Sequence, residues 1–208
     1  MSILTDKLPI ELLGVPVRAD FRDMIRLEGL LLDEQLPEVV RYAAALELFY
    51  TEPVADAELA WQTMLWFYGG GGNGHTREEK QDNEGAEHKK PRPYDFEQDA
   101  DLIYAAFWGQ YGIDLAEVDF LHWWKFRALF LNLDEQQQIS RIMGWRTADT
   151  KGMDRKTAAR YRRLKRIYAL EKNAKPAPNL AERDRRMKQE VARQFAEAKK
   201  KNAQRVQA

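Results

Sequence analysis

The sequence predicts a mainly α-helical protein: a helical bundle with a short N-terminal β-hairpin and a basic C-terminal helical extension. Three observations carry this. Apolar residues recur at helical spacing through most of the first 146 residues, punctuated by glycine, proline and helix-capping aspartate. The stretch Tyr94–Leu133 holds three of the six tryptophans and is divided by Gly112 into two helix-like halves. Charge is split: residues 1–144 carry 13 Lys and Arg against 26 Asp and Glu, while residues 145–208 carry 20 against 7. A chain of 208 residues with 44% apolar composition supports one sizeable core. The expected division is a helical domain over 1–146, with a flexible insertion at 69–93, followed by a basic arm over 147–208.

Taken in order, residues 8–18 read as two short extended segments around Gly14, with Pro9 and Pro16 confined to edge positions. Asp20 caps a helix to about Leu32 and sends Phe21 into the core. A second helix runs from about Pro37 to Tyr50, with proline in its first turn and Val40, Ala44 and Leu48 along one face. A third runs from about Ala55 to Tyr68, with Trp61, Leu65 and Tyr68 on one face, Trp66 beside it, and Gly69 as its stop. Prolines aside, residues 69–93 hold no apolar side chain larger than one alanine, too little to offset ordering entropy, and read as a disordered loop. The next helix is capped by Asp95, with Glu97 and Asp99 in its first turn. Phe96, Ile103 and Phe107 join Ala100 and Tyr104 in one apolar face, and Gly112 closes it. Asp114 and Glu117 form a capping-box pattern for a further helix. That helix carries Trp123, Trp124 and Phe126, is apolar on nearly every side, and belongs at the centre of the core. A helix over about 134–144 and a basic helix from the Asp154 cap to about Leu170 complete the body. Pro176 and Pro178 then break the chain. Residues 180–204, with Leu180, Met187, Val191 and Phe195, read as a lone amphipathic helix, a helix formed on a partner, or a solvated tail.

Several chemistries are excluded or disfavoured. Without cysteine there is no disulfide and no thiolate metal site. Neither a secretory signal nor a transmembrane run is visible, so the expectation is a soluble, intracellular protein with no membrane contact. The run Gly69–Gly72 follows a helix, and His75 stands where a phosphate loop needs lysine, so it reads as a linker. Of the carboxylates Asp95, Glu97, Asp99 and Asp101, only Asp95 with Asp99 and Glu97 with Asp101 share a helical face, and the helix dipole accounts for them without a metal. His122 reads as a core histidine bonded to backbone or to a carboxylate rather than as a catalyst. His75 and His88 lie too far apart for a zinc pair. No catalytic, cofactor or metal residues are therefore assigned, and a non-enzyme is expected. The segment Arg155–Arg166 carries seven Lys or Arg in twelve residues. Its Arg155, Lys156, Arg160, Arg163, Lys165 and Arg166 are the candidate partner contacts. The chain could self-associate; these cations could stand on a solvated helix, or meet a partner protein, the chain's own acidic body, or nucleic acid phosphates. No base-reading motif supports the last.

The ordered motifs also carry a resemblance. Asp20-Phe21-Arg22, Trp66-Phe67-Tyr68-Gly69, Tyr94–Phe107, Tyr111–Leu115 and Leu121–Phe126 resemble the bacteriophage "gene product fifteen" family, over roughly residues 8–170. Members of that family are encoded in tail morphogenesis modules of phages and prophages of Gram-positive bacteria, between tail-tube and tape-measure genes. The resemblance therefore implies a non-enzymatic tail assembly protein, acting as chaperone or adaptor for the tape-measure or tail-tube protein. The same position suits a structural tail or connector component of the virion.

Overall fold

A computed structural model describes residues 3–72 and 91–171 of the chain. The interior of the expected loop, the break at Pro176 and Pro178 and the segment 180–204 lie outside the described residues. Seven helices follow a two-stranded hairpin among those described: β1 (Glu11–Leu12), β2 (Val15–Pro16), α1 (Phe21–Leu32), α2 (Glu38–Phe49), α3 (Ala57–Tyr68), α4 (Ala100–Tyr111), α5 (Trp123–Leu131), α6 (Gln138–Thr147) and α7 (Arg155–Ile167). In the antiparallel hairpin Glu11 faces Pro16 and Leu12 faces Val15. Its two-residue turn, Leu13-Gly14, holds both residues at positive φ (56° and 76°), the handedness that matches strand twist.

Chain neighbours pack in sequence, α1 on α2 and α2 on α3, while α5 touches α1 and α4, and α6 touches α4 and α7. α5 is the central element, as expected, with Trp123, Trp124, Phe126 and Phe130 all buried. Phe126, 0% exposed, stacks on Phe21 at 4.9 Å, Phe107 at 5.0 Å and Trp123 at 5.7 Å. Phe96 and Ile103 are buried in the same core, and Trp66 packs against it half-buried. Offset and edge contacts of this kind add directional preference to plain burial.

Two hydrogen-bonding devices fix the ends of helices against this core. Arg18 extends its Nη1 to the carbonyls of Glu47, Leu48 and Tyr50 at 2.8–2.9 Å, satisfying the end of α2, which has no basic residue of its own there. The indoles of Trp124 and Trp123 donate to the carbonyls of Phe67 and Tyr68 at 2.7 and 2.8 Å, doing the same for α3. The chain leaving α3 must pass directly over Trp124. Gly71 does so at φ 72°, and a Cβ there would lie 2.1 Å from the Trp124 ring, while Gly70, at φ 90°, runs beside the Arg127 guanidinium. The start of the glycine run is thus a packing requirement rather than a linker.

Several local expectations shift. Pro37 is the N-cap of α2 and lies just outside its first turn. The buried row of α2 is Ala45 and Phe49, leaving Val40 exposed. That of α3 is Ala60, Met64 and Phe67, which turns Leu65 outward. Asp95 caps a separate turn over 96–99, accepting from the amides of Glu97 and Gln98, and α4 begins only at Ala100. The buried stripe of α4 runs through Ile103, Ala106 and Phe107, so Ala100 and Tyr104 face out. Gly112 ends α4 at φ 64° as expected. Asp114 accepts from the amides of Ala116 and Glu117, yet this caps one turn only. α5 starts nine residues later because residues 121–123 are held extended against 19–21. Phe21 N donates to Leu121 O at 2.9 Å and Trp123 N to Ala19 O at 2.8 Å. α6 likewise begins at Gln138 and includes Trp145 and Arg146. The first compact unit runs from Met1 to Tyr168 and so takes in α7, grouped with the arm in the sequence reading. The second, Ala169–Ala208, is described only through residue 171.

Gly71→Ala should destabilise the protein by about 1–3 kcal/mol, combining a forbidden φ with overpacking against Trp124. Gly72→Ala, where a Cβ meets open space, should shift a urea melt little. Equal midpoints for the two variants would contradict this packing.

Candidate functional site

α7 is built by a strong local signal. The Asp154 carboxylate accepts from the amides of Lys156 and Thr157 at 2.9 and 3.1 Å. Hydrogen bonding from the Thr157 side chain first, and then from these amides, holds its carboxyl below the usual range. Along one side Ala158 is buried and Tyr161, Leu164 and Tyr168 are half-buried; Tyr168 packs its ring 5.1 Å from Trp145. The opposite side exposes Arg155, Lys156, Arg160, Arg162, Arg163 and Arg166. None of these side chains forms an ion pair among the described residues.

Five of the six predicted contact residues are therefore on one open surface, while Lys165 is half-buried at the edge of the packed side. Arg162 belongs with them and was missed. Its signal was available: Arg155, Arg162 and Arg166 recur at seven and four residues, one helical stripe. Tyr161, which interleaves the cations in sequence, lies on the packed side and away from them.

The helix is tied to the interior through Arg146. Its guanidinium makes a bidentate pair with Asp99 at 2.6 and 2.9 Å. It also donates from Nη1 to Pro93 O at 3.0 Å and from Nε to Tyr168 O at 2.6 Å. Asp99, 2% exposed, further accepts from Asp95 N at 3.0 Å, and Arg146 is 6% exposed. Such a pair offsets its desolvation only when its remaining hydrogen-bonding capacity is met, as here. Asp99 is therefore an interior ion-pair partner, correcting its reading as a helix-dipole acid. The other carboxylates diverge from it: Asp95 caps its turn and lies 3.4 Å from Arg92, and Glu97 and Asp101 are exposed.

His122 is the N-cap of α5. Its Nδ1 accepts from Trp124 N at 3.1 Å, which leaves Nε2 to carry the hydrogen donated to Pro9 O at 3.0 Å. Burial lowers its pKa and favours that neutral form. Both ring nitrogens are thus engaged with backbone, as expected of a core histidine.

A second polar cluster sits where the insertion leaves and re-enters the body, and sequence reasoning missed it. Glu28, 7% exposed in the middle of α1, accepts a hydrogen bond from the Tyr68 hydroxyl and lies 3.8 Å from Arg92. Burial raises its pKa, outweighing the opposing effects of Tyr68 and Arg92. Burial together with the Glu28 charge raises Tyr68 as well and pushes Tyr94 up to about 12. A cleft of about 260 Å³ opens here, lined by Glu28, Leu32, Tyr68, Arg92, Pro93 and Tyr94. The available signal was an acid inside an otherwise apolar helical stripe, beside Leu27.

These features define a helical body that presents one cationic helix, anchored by a buried ion pair. The chain belongs to the family described as Bacteriophage Gp15 protein, whose family model matches residues 4–170. It is accordingly a phage structural or morphogenesis protein. Among curated proteins and among solved structures, nothing matches the chain. No helix among the described residues is long and apolar enough to cross a membrane.

Arg146→Ala would strand the Asp99 charge in the interior and should cost about 3–5 kcal/mol in a urea melt. A loss below about 1 kcal/mol would mean that Asp99 is wetter than its geometry indicates. Glu28 gives a pH test. With a raised folded pKa, its contribution to stability is fully present below the ordinary 4.5 and is lost as pH rises through the folded value. Glu28→Gln, which keeps an acceptor for Tyr68, should flatten that fall; an unchanged slope would clear Glu28 of it.

Proposed function

We propose that the chain is a non-enzymatic tail assembly protein of the host cytoplasm, a chaperone or adaptor for the phage tape-measure or tail-tube protein. It docks this partner on the cationic side of α7. The observation that carries the reading is that six cations stand on one open side of a helix whose other side is fixed to the body. In a phage structural or morphogenesis protein, this favours a permanent docking surface over a solvated tail. A long helical partner has to be kept soluble before the tail polymerises, and a helix laid along α7 would supply acidic residues to the arginines while covering apolar surface. The position of Tyr161 on the packed side removes the aromatic that would stack on bases, which favours a protein over nucleic acid.

Co-purification of the full chain with the tape-measure protein of the same phage tests this. Arg162→Glu combined with Arg166→Glu should abolish the complex while leaving the fold intact by circular dichroism. Deleting everything from residue 147 is a poorer test, because it would remove the Tyr168 carbonyl from Arg146. Retention of the complex by the double variant would sink the α7 docking reading. Stoichiometric presence of the chain in purified virions would move the assignment to a structural tail component.

A further inference from the structure

α4 carries a second open side that the proposed docking leaves unused. Asp101, Tyr104, Ala105, Trp108 and Gly109 fall at helical spacing and all face outward. Trp108 is 54% and Tyr104 39% exposed, and their rings stack at 6.5 Å. Most exposed apolar side chains on a protein are scattered singly, whereas here two large aromatics form one continuous strip. The smallest residues of the helix lie beside them, and a Cβ on Gly109 would meet open space. A second helix can therefore approach closely.

The charge flanking this strip along the chain has one sign. Residues 93–124 hold seven carboxylates and no lysine or arginine. Asp99 is neutralised by Arg146 and Asp95 lies beside Arg92, but Glu97, Asp101, Asp114, Glu117 and Asp119 form no ion pair among the described residues. Asp114 and Glu117 both lie close enough to Tyr104 to act on its hydroxyl, whose pKa is raised by desolvation first and then by these two charges. Such a surface fits an amphipathic helix bearing cations, whose guanidinium groups can stack on the aromatic faces while pairing with the carboxylates.

This chain itself displays that helix. α7 has seven Lys and Arg and no carboxylate between Arg155 and Arg166. Its cations pair with no acid of the described body, so the complementarity between the two helices is not satisfied within one described unit. We propose that the protein self-associates, the acidic aromatic side of α4 in one copy receiving the cationic side of α7 from a second copy. The two patches differ from one another. They can therefore join reciprocally about a two-fold axis, with two such contacts, or head to tail in a ring. This inference rests on the two surfaces and not on the tape-measure reading. If both hold, partner and second copy compete for α7.

The test is the mass of the full-length purified chain by sedimentation velocity. It is run at about 0.1 M salt, where charges act over ~10 Å, and at about 1 M, where they act over ~3 Å. The expected result is a species heavier than the monomer that dissociates on dilution and weakens at high salt. Two variants then separate the surfaces: Asp101→Lys/Trp108→Ser on α4, and Arg162→Glu/Arg166→Glu on α7. Each alone should associate at least about tenfold more weakly than the parent, with unchanged circular dichroism. Mixed together they should form a heterodimer, because the mixture still contains one intact α4 side and one intact α7 side. A monomer at low salt overturns the proposal. So does association of undiminished strength in either variant, or a mixture that stays monomeric. None of these results depends on whether the tape-measure protein binds.

Discussion

The structure depends on a splice between two segments a hundred residues apart. Residues 19–21 and 121–123 lie side by side, exchanging backbone hydrogen bonds in both directions. The Asp20 carboxylate serves both segments at once, accepting from Arg22 N at the start of α1 and from Leu121 N just before α5. One side chain thus sets the origin of two helices, and with it the register in which Phe21 meets Phe126. Arg22 strengthens the junction by donating to the carbonyls of Leu115 and Val118. Because buried backbone groups must be paired, the extended run before α5 is stable only where this partner strand is present.

What was legible in the sequence was what local chemistry decides. Asp20, Gly112 and Asp154 act within a few residues of themselves, and all three hold the helix ends expected of them. The apolar density of Trp123, Trp124 and Phe126 identified the central helix for the same reason. The errors share a different cause. Asp114 has the right residues for a helix start, but the chain beyond it is claimed by residues 19–21, and tertiary pairing overrides propensity. Asp99 looks like any acid in a first turn until Arg146, 47 positions later, arrives beside it. Face assignments for α2, α3 and α4 drifted by part of a turn, because aromatic and aliphatic residues surround these helices too evenly for composition to orient them.

The candidate site divides along the same line. A cationic helix was evident from composition alone. Which cations are presented depends on the angle at which α7 lies on α6, and that angle exchanges Arg162 for Lys165. The Glu28 cluster escaped because its members come from α1, the end of α3 and the far side of the insertion. Only the fold brings them together.

The placement of Arg146 has a mechanical meaning. One guanidinium grips the Asp99 carboxylate in the interior and the Tyr168 carbonyl at the end of α7. The helix is thus held near its far end as well as along its packed side. A load applied where α7 ends is delivered first to this hydrogen bond, and through it to the beginning of α4. α7 is therefore pinned to the interior at its far end, so tension placed on that end would be felt at the root of the aromatic strip.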